Sequence, residues 1–386
     1  MDKIIRNLNR NLNIDTYIER KSLFLLGPRQ TGKTTFLEEN YPEAIFYSLL
    51  KNDIYFTLQK DPSQLRRELE LAKKPELIII DEIQKIPALL DEVHYLIEKK
   101  KHHFILTGSS ARKLKRSGVN LLGGRASTLT FHPLNYAEMT GHDFSLEKVL
   151  NYGSLPSIYL SDDPETDLQD YVSTYLKEEI MAEGLARKLP SFSRFLEIAA
   201  LSSSQMINFA SIANDAQIAP TVCYEYFQVL KDTLVASELP CWQSTKKRKA
   251  MTTSKFFFFD GGVARVAQGR KTLSKNDPAL GPALETYLFH ELQTLTDYKK
   301  LAPLHYWRSK SNFEVDFIFN QEIAIEIKAT RNPSISDLKG LKALAEEKLL
   351  KRYILVCQVE RPRKEGFVEI LPVEHFLKEM WGSSFS

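Results

Sequence analysis

The run Gly27-Pro28-Arg29-Gln30-Thr31-Gly32-Lys33-Thr34 fits the spacing GxxxxGK[ST], with Thr35 behind it, and lies between an apolar stretch and an amphipathic one. A strand followed by a helix is the context in which this spacing forms a phosphate cradle. The glycines let backbone N–H groups turn inward around phosphate oxygens, so that Gly27 to Thr35 line the nucleotide site, and the Lys33 amine neutralises the β and γ phosphates of ATP. The Thr34 hydroxyl can ligate Mg2+. A glycine-rich turn with a solvated lysine is the plainer reading of those residues alone. Against it stands Leu77-Ile78-Ile79-Ile80-Asp81-Glu82, which puts two carboxylates at the end of a buried apolar run, where uncompensated charge is costly. Bound Mg2+ would compensate it, with Asp81 holding the metal through its water shell and Glu82 polarising the water that attacks the γ phosphate.

Further along, Phe104-Ile105-Leu106-Thr107-Gly108-Ser109-Ser110 is an apolar run ending in hydroxyls. Thr107 or Ser109 can sense the γ phosphate from a neighbouring strand, or cap the helix that follows. Arg125, behind Gly123 and Gly124, can reach a phosphate in its own or a neighbouring subunit. A surface ion pair accounts for it equally well. Near the other end, Phe313-Glu314-Val315-Asp316-Phe317-Ile318-Phe319 and Ile323-Ala324-Ile325-Glu326-Ile327-Lys328-Ala329 read as a hairpin. Period-two alternation puts Glu326 and Lys328 on one face of the second strand. Asp316 sits in an otherwise apolar strand, and a divalent ion bridging it to Glu326 would offset its burial. Asp followed by Glu-x-Lys resembles the PD-(D/E)xK nuclease core, in which acids hold Mg2+ and the lysine orients or deprotonates the attacking water. That resemblance implies Glu285 as a helix-borne acid, beside the apolar stripe of Phe289 and Leu292. A plain cross-strand salt bridge is the alternative.

These residues need strands and helices to hold them. Ser22 to Leu26, Ala44 to Leu49, Leu77 to Ile80 and Phe104 to Thr107 read as strands alternating with amphipathic stretches, which predicts an α/β domain with a mostly parallel sheet. From about residue 145 the periodicity turns helical, through Leu168, Tyr171, Tyr175 and Ile180 and then Phe192, Phe195, Leu196 and Ala199. Phe209 to Ala216 and Pro220 to Asp232, followed by an extended Leu234 to Leu239, suggest a winged helix-turn-helix. The polar run Lys271 to Pro278 reads as a connector. Past it, a helix at about Pro282 to Thr296, the hairpin, a helix at Ile335 to Glu347 and a strand at Arg352 to Cys357 make a small α/β unit. The expected domains are 1–144, 145–272 and 273–386.

Taken together, Gly27 to Thr35, Asp81-Glu82-Ile83-Gln84, Thr107 to Ser110, Gly124-Arg125 and Phe131 to Glu138 resemble the prokaryotic AAA-type ATPases that carry a DUF4143 domain. The likeness continues through Tyr152 to Pro156, Tyr175 to Ile180 and Lys255 to Ala264. It implies a P-loop ATPase domain, a winged-helix segment and a restriction-endonuclease-like carboxyl-terminal fold. The GGLPE pattern of that family is reduced here to Gly153-Ser154-Leu155-Pro156-Ser157, without its acidic residue.

The 386 residues carry a net charge of only +3, with 43% hydrophobic and 26% charged residues, a globular balance in which any contact with DNA must come from a local patch. The second helix of the winged segment offers only Gln228 and Lys231 as base readers, with Glu225 opposing, so packing is its better role. Lys246-Lys247-Arg248-Lys249 is the candidate for phosphate contact at a wing tip, or else a solvated loop. Cys223, Cys241 and Cys357 are too scattered for a disulfide framework, and no apolar run reaches bilayer length. The expectation is a cytoplasmic ATPase switch that uses ATP and Mg2+, acts on DNA through a nuclease-like domain, and can form homo-oligomers. The competing expectation is a nucleotide-gated signalling module whose carboxyl-terminal fold is a non-cleaving scaffold.

Overall fold

The computed structural model describes residues 10–71, 76–110, 122–176, 189–382 and 385. Of the runs singled out above, Lys177 to Ile180 lie outside them. The chain divides into two compact units, the first comprising residues 1–133, 175–187 and 228–235, the second the remainder.

In the first unit, β1 (Ser22–Leu26), β2 (Ile45–Ser48), β3 (Leu77–Asp81), β4 (His103–Gly108) and β5 (Ala126–Thr130) form one sheet in the order β2-β3-β4-β1-β5. All its pairings are parallel. The unbroken apolar strands β1 and β3 sit inside that order, where helices cover both faces and no polar alternation is tolerated. Phe24, Leu26, Ile78, Ile80, Phe104 and Leu106 contribute to one buried cluster with Leu89, Val93 and Leu96, which line one stripe of the helix Leu89–Lys100. This is the parallel sheet expected of a P-loop nucleotide-binding fold. The fifth strand was not anticipated: Ala126-Ser127-Thr128-Leu129-Thr130 is half polar and only partly buried, as an edge strand permits.

In the second unit, helices Leu189–Leu201 and Phe209–Asp215 precede β6 (Ala236–Leu239). That strand pairs antiparallel with β7 (Lys255–Phe258). A six-stranded mixed sheet follows, built from β8 (His305–Arg308), β9 (Glu314–Phe319), β10 (Ile323–Lys328), β11 (Arg352–Cys357), β12 (Arg363–Glu365) and β13 (Val368–Pro372) in the order β12-β13-β11-β10-β9-β8. The expected hairpin is present, with Phe319 opposite Ile323 and Phe317 opposite Ile325. The helix Leu280–Lys299 is longer than expected, and the one placed at Ile335 to Glu347 is a 3-10 turn followed by Lys339–Ala345. Among the described residues, no helix is long and apolar enough to cross a membrane.

Two of the runs that carried the family resemblance pack on each other here. A Cβ on Gly153 would lie 1.9 Å from Asp260 Oδ1, and one on Gly262 would lie 2.3 Å from the Tyr152 carbonyl carbon. The close approach lets the buried Asp260 carboxylate accept hydrogen bonds from Ser154 N (2.7 Å) and Val263 N (2.9 Å), capping the helix Gly261–Ala267.

On the long helix, Glu291 is fully buried, accepting hydrogen bonds from Tyr136 N and Trp381 Nε1, both at 2.7 Å. Burial pushes its carboxyl up to about 8, although those donors oppose the shift. An acid whose folded pKa is raised stabilises the fold fully below its unfolded value of 4.5 and loses that contribution as pH rises towards 8. At most this is a decline of roughly 1.4 kcal/mol per pH unit. Denaturant melts of the wild type between pH 5 and 8 should show this falling limb, and Glu291→Gln should flatten it. Parallel slopes for the two proteins would contradict the assignment.

Candidate functional site

The loop Gly27–Thr34 leaves the carboxyl end of β1 and enters the helix Lys33–Asn40. Its start is fixed by sterics. A Cβ on Gly27 would meet Phe131 O at 2.3 Å, so only glycine lets the loop pass that close to the chain beyond β5. Gln30 and Gly32 have φ of 61° and 88°, the left-handed turns that swing successive backbone N–H groups toward one point. Thr31 Oγ1 donates to Pro28 O (3.0 Å), and Lys33 Nζ donates to Gly27 O (2.7 Å) and Pro28 O (2.8 Å). The lysine amine thus stands inside the loop, at the point its N–H groups surround.

β3 ends beside this loop. Asp81 is wholly buried, and its carboxylate accepts hydrogen bonds from Thr107 Oγ1 (2.6 Å) and Thr34 Oγ1 (3.2 Å). Both of these donors are neutral hydroxyls. The next residue, Glu82, turns into the left-handed region with φ 63°, and its N–H donates to Thr107 Oγ1 at 3.0 Å. That turn takes the Glu82 side chain off the strand direction, where Gln84 Nε2 donates to Glu82 Oε2 and also, at 3.2 Å, to Ser109 Oγ. Thr107 and Ser109 therefore both belong to this network: Thr107 grips Asp81, and Ser109 meets Glu82 through Gln84.

A second cluster lies in the other unit. The hairpin register continued by one residue sets Asp316 of β9 opposite Glu326 of β10, and Ile327 N donates to Asp316 Oδ2 at 2.8 Å. Lys328 Nζ pairs with Glu326 Oε1. From the long helix Glu285 joins them, and from β7 comes Lys255, whose Nζ lies 2.8 Å from Glu285 Oε1, 2.7 Å from Glu314 Oε1 and 3.5 Å from Asp316 Oδ1. The ring of Phe257, two residues along β7, stacks on Phe289 of the helix at 4.2 Å. Since 255 and 257 share a strand face and 285 and 289 a helix face, that stack sets Lys255 against Glu285.

Burial and the Asp316 carboxylate push Glu285 up to about 7, and for the same two reasons Glu326 rises well above the usual carboxylate range. Burial would depress the Lys255 ammonium, but Glu285, Asp316 and Glu314 outweigh it and hold the group above its ordinary value. In the sequence Lys255 entered only as the first residue of the run to Ala264 that carries the family resemblance. Its ammonium lies among carboxylates for which a divalent ion was the expected compensation.

Residues 19–140 match the family model described as AAA domain. The amino-terminal region is similar to AAA domains over that span. Residues 143–274 match a domain of unknown function, DUF8612, and 280–376 another, DUF4143. An uncharacterized protein of Mycobacterium tuberculosis is 27% identical over 330 residues, covering 81% of this chain and 71% of its own length. One of Methanocaldococcus jannaschii is 25% identical over 343 residues, covering 81% and 74%. Among solved structures, the ORC1 protein of Aeropyrum pernix in complex with DNA aligns at TM-score 0.27 and 11% identity, over 64% of this chain and 86% of that one.

Within the AAA-type region, Gly27 to Thr35, Asp81, Glu82 and Ser109 converge on the carboxyl ends of adjacent strands. Arg125 does not. Ser22 pairs with Ala126 and Leu26 with Thr130, so Arg125 sits beyond the amino ends of the strands, roughly 20 Å from the loop at about 3.3 Å per residue. There it pairs with Glu98. Arg10 was missed. Its guanidinium donates to Thr31 O (2.9 Å) and His132 O (2.6 Å) and lies 4.2 Å over the Phe131 ring, so it braces the AAA-type loop from behind. No spacing rule links an arginine ahead of β1 to that loop.

The basic run Lys246 to Lys249, in the other unit, is engaged internally. Lys246 N, Lys247 N and Arg248 N donate to the Glu347 carboxylate at 2.9, 3.0 and 2.9 Å, and Arg248 pairs with Glu346 at 2.6 Å. The Glu347 contacts come from backbone N–H groups, and of the side chains Arg248 is paired with Glu346 while Lys247 Nζ donates to the Glu346 carbonyl.

Proposed function

We propose that this protein binds and hydrolyses ATP at the loop Gly27–Thr34 and uses the cycle as a switch. The observation that carries this reading is the Asp81 carboxylate: wholly buried, held by the hydroxyls of Thr34 and Thr107, and adjacent to a loop whose spacing is that of a phosphate cradle. A buried carboxylate is costly unless a cation compensates it, and Mg2+ arriving with ATP fits that role. When bound, the ion would neutralise charge on the β and γ phosphates, with Thr34 as its direct ligand and Asp81 behind its waters.

The chain's own residues supply the rest. The turned N–H groups from Gln30 to Thr34 bind phosphate oxygens. Lys33 exchanges its two carbonyl acceptors for phosphate oxygens, so its amine is already in place and little reorganisation is needed. Glu82 orients water and takes its proton, and release of Gln84 from Glu82 frees the carboxylate for that task. Ser109, joined to Glu82 through Gln84, relays whether a γ phosphate is present. Domains 145–272, with its helix-turn-helix and two-stranded wing, and 273–386, with its nuclease-like residue set, would carry the output, with DNA or a protein as the final partner. Phosphate release by the full chain should be saturable in ATP, should require Mg2+, and should proceed at a slow, switch-like rate. Release that is unaffected by removal of Mg2+ would contradict the site assignment.

A further inference from the structure

The residues Glu285, Asp316, Glu326 and Lys328 match the type and order of a metal-dependent nuclease site, yet their geometry does not fit a divalent ion. The place such an ion would occupy, between the helix-borne acid and the strand acids, is filled by Lys255 Nζ at 2.8, 2.7 and 3.5 Å from Glu285, Glu314 and Asp316. Its side chain is only 4% exposed, so there is no solvent into which the ammonium can retreat when a metal approaches. Several of the other oxygens are engaged as well, although Glu326 Oε2 is buried without a hydrogen-bond partner among the described residues. Asp316 Oδ2 accepts from Ile327 N, Glu326 Oε1 pairs with Lys328, and Glu314 Oε2 accepts from Arg308 Nη1 at 2.9 Å. Mg2+ demands near-octahedral oxygen ligands at about 2.0–2.1 Å. Among the described residues, no group of three or more His, Cys, Asp or Glu is disposed to hold a metal ion.

We propose that Lys255 is a built-in cation standing where a nuclease would hold its metal, so that this cluster takes up no divalent ion and does not cleave nucleic acid. Lys255, Lys328 and Arg308 face Glu285, Glu314, Asp316 and Glu326, a near balance of charge reached from five separate segments of the unit. Such a node fixes β7, the long helix and the β9–β10 hairpin in register, a structural task for residues whose types otherwise spell hydrolysis. Lys255→Met keeps the length of the side chain and removes the charge, which should turn the cluster into a cation site.

The test is a Mn2+ titration of the nucleotide-free full chain, with free Mn2+ read by electron paramagnetic resonance. The wild type and Asp316→Asn should bind the same number of ions. Lys255→Met should gain one ion per chain, and Asp316→Asn in that background should lose it. A wild type that holds an Asp316-dependent Mn2+ would overturn the proposal, as would a folded Lys255→Met chain that takes up none. Should Lys255→Met fail to fold, the comparison of wild type with Asp316→Asn still decides. A plasmid assay with Mn2+ gives a second readout: the expected result is no strand breaks that disappear in Asp316→Ala, and such breaks would refute the assignment.

Discussion

Lys33→Ala should abolish ATP binding at ordinary concentrations while leaving the chain folded. The amine is only 6% exposed, and its hydrogen bonds to Gly27 O and Pro28 O show that it reaches into the loop. Removing one partner from a desolvated charge contact costs about 2–5 kcal/mol, which is roughly 30-fold to several thousandfold in Kd. The loss to the fold is smaller. Two neutral carbonyls give up a donor and can turn to water, at about 1–2 kcal/mol for the pair. Fluorescence titration with a labelled ATP analogue, alongside a circular-dichroism melt, separates the effects. Binding within threefold of wild type would mean that the lysine does not face phosphate.

Glu82→Gln should show the opposite division: ATP still binds, within a few-fold, and hydrolysis falls by about 10²–10⁴ as expected for loss of a general base. The substitution keeps the volume and can keep a hydrogen bond to Gln84, so the left-handed turn at φ 63° and the grip of Thr107 on Asp81 should survive. Single-turnover phosphate release is the measurement that matters, because steady-state rates can report product dissociation instead of chemistry. A variant that hydrolyses at the wild-type rate would remove Glu82 from the mechanism and leave Asp81 and Thr34 as an Mg2+ site without an assigned base.

The first unit was legible in the sequence because its signals are local. The cradle's eight residues are contiguous, and strands buried on both faces announce themselves as unbroken apolar runs. What escaped was settled by distant partners. β5 is half polar because it is an edge, and nothing within Ala126 to Thr130 says that it will lie beside β1. Arg10 finds the loop only once β5 brings Phe131 and His132 alongside Gly27. Arg125 was placed by its glycines, which are local, when the parallel pairing of β1 with β5 sends it to the far end of the strands.

The second unit shows the same limit with a larger consequence. Asp316, Glu326 and Lys328 follow from strand periodicity, and the hairpin does bring them together. The cation that alters their meaning, Lys255, precedes Glu285 by thirty residues on a different sheet, so their contact is a property of tertiary packing alone. Periodicity could show which carboxylates share a face but not which charge was already waiting among them.

The central claim is that the loop Gly27–Thr34 takes a nucleoside triphosphate with Mg2+. Isothermal titration calorimetry of the full chain with a non-hydrolysable ATP analogue addresses it most directly. The expected result is one site per chain, strengthened by Mg2+ and lost in both Lys33→Ala and Asp81→Asn. Absence of binding heat with adenine and guanine triphosphates at several temperatures, or heat that persists undiminished in Lys33→Ala, would contradict it.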